Sequence, residues 1–136
     1  MIISEKIPSK PEVLPQFASK VIDKIKIYFR DEDIVNVRLS LEEALVNAMK
    51  HGNKMNPDLP VEVYVEVEDK KLVIKVRDQG EGFDFNKLPN PTLDENIKKT
   101  SGRGIFLIKN LMDRVEFFDC GRGIKMVKFL NKEEQK

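Results

Sequence analysis

With 136 residues, 40% hydrophobic and 35% charged, the chain can bury one substantial core and is too apolar for a disordered tail. Its formal net charge of +1, with Lys and Arg spread along the whole length, lacks the broad basic footprint of a nucleic-acid binder, so no direct DNA or RNA partner is expected. No apolar run approaches the roughly 18 to 20 residues that cross a bilayer. The opening Met1-Ile2-Ile3-Ser4-Glu5-Lys6 has no signal-peptide pattern and the lone Cys120 cannot form an intrachain disulfide, which together point to the cytoplasm and to no membrane.

In chain order, a short strand is expected over Ile2 to Ile7, followed by a turn through Pro8, Pro11 and Pro15. Leu14, Phe17, Ala18, Val21, Ile22, Ile25, Tyr28 and Phe29 recur at helical spacing, an amphipathic helix with an apolar stripe of eight residues. Asp31 to Asp33 read as a polar break. A second helix should run from about Val35 to His51 with Leu41, Leu45 and Ala48 facing inward, ended by Gly52, Asn53 and Pro57.

Val61 to Glu68 alternates apolar and polar residues, Asp69-Lys70-Lys71 turns the chain, and Leu72, Ile74 and Val76 alternate again, the pattern of a β-hairpin with one buried face. Residues 84 to 101 carry Pro89 and Pro91 and few large apolar residues, so they should form a moving lid, with room for a short helix over Leu93 to Lys99. Ile105, Ile108, Leu111 and Met112 then mark a third helix, and strands follow over Val115 to Asp119 and Ile124 to Leu130. Residues 132 to 136 form a charged tail. No repeat or long linker divides the chain, so one domain over 1–136 is expected. Its class is α+β: a two-layer α/β sandwich, mostly antiparallel sheet with helices on one face.

Three motifs carry the chemistry. Glu43, Asn47 and His51 follow one another at four-residue spacing, which on a helix places a carboxylate, a carboxamide and an imidazole along one face. Phosphoryl transfer from ATP needs a base beside the acceptor hydroxyl and an oxygen ligand for Mg²⁺, and Glu43 with Asn47 can supply both. The competing carboxylate, Glu42, lies about 100° around the helix. His51 has two readings, helix-end packing or a nucleotide contact.

Asp78 closes an apolar strand just before Gly80 and Gly82, where a carboxylate is costly unless a donor such as an adenine amino group satisfies it; it is otherwise an Asx-turn residue. Gly80 and Gly82 allow close approach to a flat ligand or simply a tight turn. Gly102 and Gly104 precede the third helix, whose free amides can receive phosphate oxygens. No third glycine completes a dinucleotide fingerprint, and no Gly-Lys-Ser/Thr ends a phosphate loop, which removes both of those readings.

Glu43-x-x-x-Asn47, Asp78-x-Gly80-x-Gly82 and Gly102-x-Gly104, separated by a hairpin and a lid, resemble the nucleotide boxes of the GHKL (histidine-kinase-like) ATPase superfamily over about residues 35 to 130. Glu43 to Gly52, and Ser101 to Asp113 with Ser101-Gly102-Arg103-Gly104-Ile105 at its start, are most similar to the bacterial anti-sigma factor serine kinases. The resemblance implies the GHKL ATPase fold and Glu43 as general base. It implies Asn47 as Mg²⁺ ligand and nucleotide contact, Asp78 as adenine reader, and Gly80 and Gly82 lining the base pocket. Ser101, Gly102, Arg103, Gly104 and Ile105 would form the phosphate end. Where the family often has Gly-Thr-Thr, this chain reads Ile124-Lys125-Met126.

A histidine kinase needs a phosphoacceptor histidine on a dimerisation helix, whereas the only histidine here is His51. The resemblance therefore implies a stand-alone regulator, an ATP-dependent serine kinase acting on an anti-sigma factor antagonist and holding a sigma factor, as a homodimer pairing through its N-terminal region. The alternative is a module that binds ATP and sequesters a partner without transferring phosphate.

Overall fold

A computed structural model describes residues 1–81 and 100–130 of the chain. The expectations for residues 84–99, for the helix over Leu93 to Lys99, for the tail and for Gly82 lie outside the described residues. The order is β1 (Ile2–Pro8), α1 (Leu14–Ile25), α2 (Asp31–Val46), β2 (Pro60–Glu68), β3 (Lys71–Arg77), α3 (Thr100–Leu111), β4 (Arg114–Phe118) and β5 (Gly123–Phe129). The five strands form one sheet in the order β1-β2-β3-β5-β4, every neighbouring pair antiparallel.

The period-two alternation gives the sheet its two faces. In register across all five strands, Ile3, Val65, Ile74, Met126 and Val115 form a row that joins the core under the helices. One residue along, the row Ser4, Tyr64, Lys75, Lys125 and Glu116 belongs to the uncovered face. Two helical layers are thus unnecessary; a single layer of α1, α2 and α3 closes the core, as expected for the α+β two-layer sandwich. The β2–β3 connection is a two-residue turn with Asp69 and Lys70 both left-handed (φ 54° and 64°), the geometry that suits the right-handed twist of a hairpin.

Three helix boundaries differ from the periodicity reading. The first apolar stripe leaves regular helix after Ile25: a 3-10 turn over Lys26–Tyr28 follows, and Phe29 folds back into the core. Leu14, Phe17, Ala18, Val21, Ile22 and Ile25 are all buried inside the subunit, each large one contributing about 1.5 to 3 kcal/mol of burial. Of the eight residues in the stripe, Phe29 is buried as well and Tyr28 is partly buried against the core. Asp31 to Asp33 are no break but the first turn of α2, where three acidic residues meet the positive end of the helix dipole and Arg30 is extended (φ −80°, ψ 162°).

At its other end α2 runs into a π turn over Asn47–Gly52. This turn closes with Asn53 N–H to Ala48 O (2.8 Å) and Met55 N–H to Met49 O (2.7 Å). The left-handed residues that reverse the chain are Lys54 and Met55 (φ 54° and 62°), not Gly52. π turns inside helices cluster at functional sites, and this one carries the polar motif.

Candidate nucleotide site

Glu43 and Asn47 sit one turn apart on α2 and meet α3 at Gly104. A Cβ at position 104 would stand 2.9 Å from Asn47 Nδ2, 3.0 Å from Glu43 Oε1 and 3.3 Å from Asn47 Oδ1. Only a glycine lets the α3 backbone come this close to both side chains without pushing them. Because α3 begins at Thr100, Gly102 and Gly104 lie within the helix rather than ahead of it. Gly102 lies in the first described turn, formed by the backbone of Thr100, Ser101 and Gly102 with Arg103 next, and Gly104 is the fifth residue. Gly104 thus acts through its lack of a side chain. Ile105, 6% exposed, anchors the helix below that turn.

Glu42 is removed from contention by its partner. Its carboxylate takes the Arg38 Nε proton at 3.1 Å, and Arg38 Nη2 donates to Ser19 Oγ, also at 3.1 Å, which ties α2 to α1. Glu42 is a brace, and Glu43 is the carboxylate left facing α3.

The second cluster is built around Asp78, only 8% exposed. Its Oδ1 accepts the Gly80 N–H at 2.7 Å, an Asx turn, so the turn-residue reading of Asp78 holds for one oxygen. Oδ2 lies over Gly52: a Cβ there would come within 2.2 Å of both Cγ and Oδ2 of Asp78. A Cβ on Gly80 would in turn lie 2.1 Å from the Gly52 carbonyl oxygen. Gly52, read from sequence as a helix stop, is there because the Asp78 carboxyl occupies its side-chain space. Burial pushes the Asp78 carboxyl above its ordinary range, against the opposing pull of the Gly80 amide and the Arg122 guanidinium.

His51 lies in the π turn and is exposed; partial covering of its ring and the neighbouring Lys50 charge lower its pKa, favouring the neutral imidazole. The π turn also breaks the four-residue rule beyond Asn47: the α-helical face that aligns Glu43 with Asn47 does not extend to His51. Ile124 and Met126 point into the core, while Lys125 lies on the opposite sheet face between Lys75 and Glu116. Gly80 joins the Asp78 cluster, while Gly82 lies outside the described residues.

Two residues that the motif reading passed over complete this cluster. Asn53, 1% exposed, accepts the Gln79 N–H on Oδ1 at 2.7 Å and donates from Nδ2 to Ser9 Oγ, Leu59 O and Pro60 O at 2.9 to 3.1 Å. Arg122, in the β4–β5 turn, donates Nε to Gly80 O at 2.7 Å, and its own carbonyl accepts the Asp78 N–H at 2.9 Å. Among the described residues no group of three or more His, Cys, Asp or Glu could hold a metal ion, and no helix is long and apolar enough to cross a membrane.

A two-layer α/β domain whose helix-borne carboxylate and carboxamide face a glycine-bearing helix, beside a buried Asp-x-Gly turn, has the arrangement expected of a nucleotide-binding domain. The model of the histidine kinase-like ATPase domain matches residues 7–129, and the chain belongs to that family. Serine-protein kinase RsbW of Staphylococcus aureus, from strains JH9 and Newman, is 34% identical across 76% of this chain and 70% of its own length.

Proposed function

We propose that this protein binds Mg·ATP and transfers the γ-phosphoryl group to a serine of a small anti-sigma factor antagonist, and that in its other role it holds a sigma factor. The observation that carries the proposal is the joint approach of Gly104 to Glu43 and Asn47, which sets a carboxylate and a carboxamide together against the helix whose first-turn amides suit phosphate. Family membership and the serine kinase relatives support the same reading.

In this reading Asp78 accepts the adenine amino group and the first turn of α3 receives phosphate oxygens. Mg²⁺ takes oxygen ligands and keeps several waters, so the Asn47 carboxamide oxygen beside the nucleotide phosphates meets its needs, and when bound it offsets phosphate charge. Glu43 takes the proton from the serine hydroxyl as that oxygen bonds to the γ-phosphorus, and the bond from phosphorus to the β,γ-bridging oxygen breaks to release ADP. Such a kinase works where ATP is, in the cytoplasm. A homodimer is part of the proposal on the strength of the family resemblance; exposed apolar residues such as Ile2 in β1, Ile27 after α1 and Val35 in α2 are surfaces open to it. Light scattering reads its mass against 15.7 kDa for one chain.

The test is incubation with radiolabelled ATP and candidate antagonists encoded beside it. Label on a serine of one of them supports the kinase. ATP binding without transfer to any of them makes the protein instead a module that binds its partner under ATP control.

A further inference from the structure

Asp78, Gln79 and Gly80 form a turn that is held from both sides. On the α2 side, Gln79 N–H is fixed by Asn53 Oδ1 at 2.7 Å. On the side of the β4–β5 turn, Arg122 grips the same three residues twice: its Nε bonds Gly80 O at 2.7 Å and its carbonyl takes the Asp78 N–H at 2.9 Å. Asn53 cannot drift, because its two amide hydrogens are shared among Ser9 Oγ, Leu59 O and Pro60 O inside the core. Arg122 is itself steadied by Asp119, 3.6 Å away, which also takes a hydrogen bond from Arg77 at 2.9 Å.

We propose that Asn53 and Arg122 are positioning residues that together fix the direction of the Asp78 carboxylate, so that a purine carrying an amino group is selected over one carrying a carbonyl at the same place. Neither touches the base; both act on the backbone of the turn that carries Asp78. The inference rests on the reading of Asp78 as the base contact. Its physical basis is that a buried acceptor discriminates only if it cannot swing to accommodate a different donor pattern, and that a site built around a buried hydrogen bond rejects an analogue lacking the partner far better than a loose one does.

Calorimetric titration of ATP and of GTP into the wild-type chain, Asp78→Asn, Asn53→Ala, Arg122→Ala and Ser9→Ala separates the possibilities. The wild type prefers ATP and Asp78→Asn loses the preference; if these two fail, the reading of Asp78 fails and the proposal with it. Given that baseline, Asn53→Ala and Arg122→Ala should each cut the ATP-over-GTP affinity ratio by about tenfold. Ser9→Ala breaks the far end of the same buried network and lowers thermal stability, but should leave the ratio unchanged.

Exchange of the Gly80 amide proton in nucleotide-free protein gives a second readout that needs no ligand: faster in Asn53→Ala and in Arg122→Ala, unchanged in Ser9→Ala. Should Asn53→Ala fold poorly, Arg122→Ala alone decides, since its side chain is partly exposed. Equal weakening toward both nucleotides with an unchanged ratio, or a Ser9→Ala effect equal to that of Asn53→Ala, overturns the proposal.

Discussion

The two ends of the candidate site are built on different principles. At the Asp78 end, the arrangement is closed: the carboxylate is bonded within its own turn, two glycines fit against it, and Asn53 and Arg122, distant in sequence, hold the backbone. At the Glu43 end, two helices distant in sequence meet across one glycine, and the Glu43 and Asn47 side chains are half-buried with no partner holding both in place among the described residues. The first arrangement suits recognition, which needs a fixed acceptor. The second suits chemistry on a large charged group, which needs polar atoms free to re-bond when phosphate and metal arrive. Substitutions at the two ends should therefore fail in different ways.

The largest effect is expected at Glu43. Glu43→Gln keeps size and hydrogen-bonding capacity but cannot take a proton, so phosphotransfer should fall by a hundredfold or more, on the order of what positioned general bases contribute. Nucleotide affinity should stay within a factor of a few. Single-turnover transfer rates beside calorimetry check both halves, and an equal transfer rate would remove Glu43 as the base.

At the other end the loss should appear in binding. Asp78→Asn turns one of the two acceptor oxygens into an NH2 donor, and a lost buried hydrogen bond or an unpaired buried group costs about 1 to 3 kcal/mol, so ATP affinity should drop by about one to two orders of magnitude. The charge adds a pH signature. Since burial raises the Asp78 pKa in the folded chain, the proton is held more tightly folded than unfolded; the resulting stability is fully present below the unfolded value and is lost as pH rises through the folded one. Adenine binding should run the opposite way, strengthening as pH rises through that raised value because the ionised form is the better acceptor. Asp78→Asn should flatten both profiles at this step. Unchanged affinity, or a wild-type binding profile that weakens as the pH rises from acid to neutral, would sink the assignment.

How far the sequence could be read follows the same division. The strands were legible to within a residue or two, because alternation over Val61–Val67 and Leu72–Val76 leaves one face that must be buried. Glu43, Asn47 and Asp78 stood out in the sequence by residue type and spacing, and the structure places Glu43 and Asn47 together against Gly104 and Asp78 in an Asx turn. The π turn was not legible, since α-helical periodicity cannot show an i→i+5 widening. The helical segment does end at Gly52, but the second role of this glycine was hidden, because nothing local says that the Asp78 carboxyl, twenty-six residues on, fills its side-chain space. Asn53 and Arg122 were passed over for a related reason: one sits after a helix, the other between two strands, and their partners are backbone atoms, which leave no mark in a motif. Gly121-Arg122-Gly123 was the available signal for the latter, a long side chain flanked by residues that leave it room.

A smaller effect with two opposite signs tests the contact between the helices. Gly104→Ala adds a methyl group 2.9 to 3.3 Å from the ends of the Asn47 and Glu43 side chains, close enough to displace them by a few tenths of an ångström. Misplacement of about 1 Å can cost about a hundredfold in rate, so a tenfold fall in phosphotransfer is expected. Stability should hold or rise, because alanine is favoured over glycine inside a helix by about 1 kcal/mol. A slower enzyme that melts no earlier is the predicted phenotype; a drop in melting temperature with normal activity would mean that the close approach serves packing alone.

The smallest effect belongs to Glu42, which separates the two adjacent carboxylates. Its pairing with Arg38 is a partly exposed i,i+4 ion pair, and such pairs contribute only about 0.3 to 0.5 kcal/mol. Glu42→Gln should thus lower the melting temperature by only about 1 to 2 °C, given that about 1 kcal/mol shifts a domain of this size by roughly 4 °C or a little more. High salt should shrink the difference by screening the pair in the wild type. Phosphotransfer and ATP affinity should match the wild type, since the helix turns Glu42 toward Arg38 and Ser19 while Glu43 faces Gly104. If Glu42→Gln abolished transfer and Glu43→Gln did not, the roles of the two would be reversed, and the contact of Gly104 with Glu43 would lose its place as the observation on which the kinase reading stands.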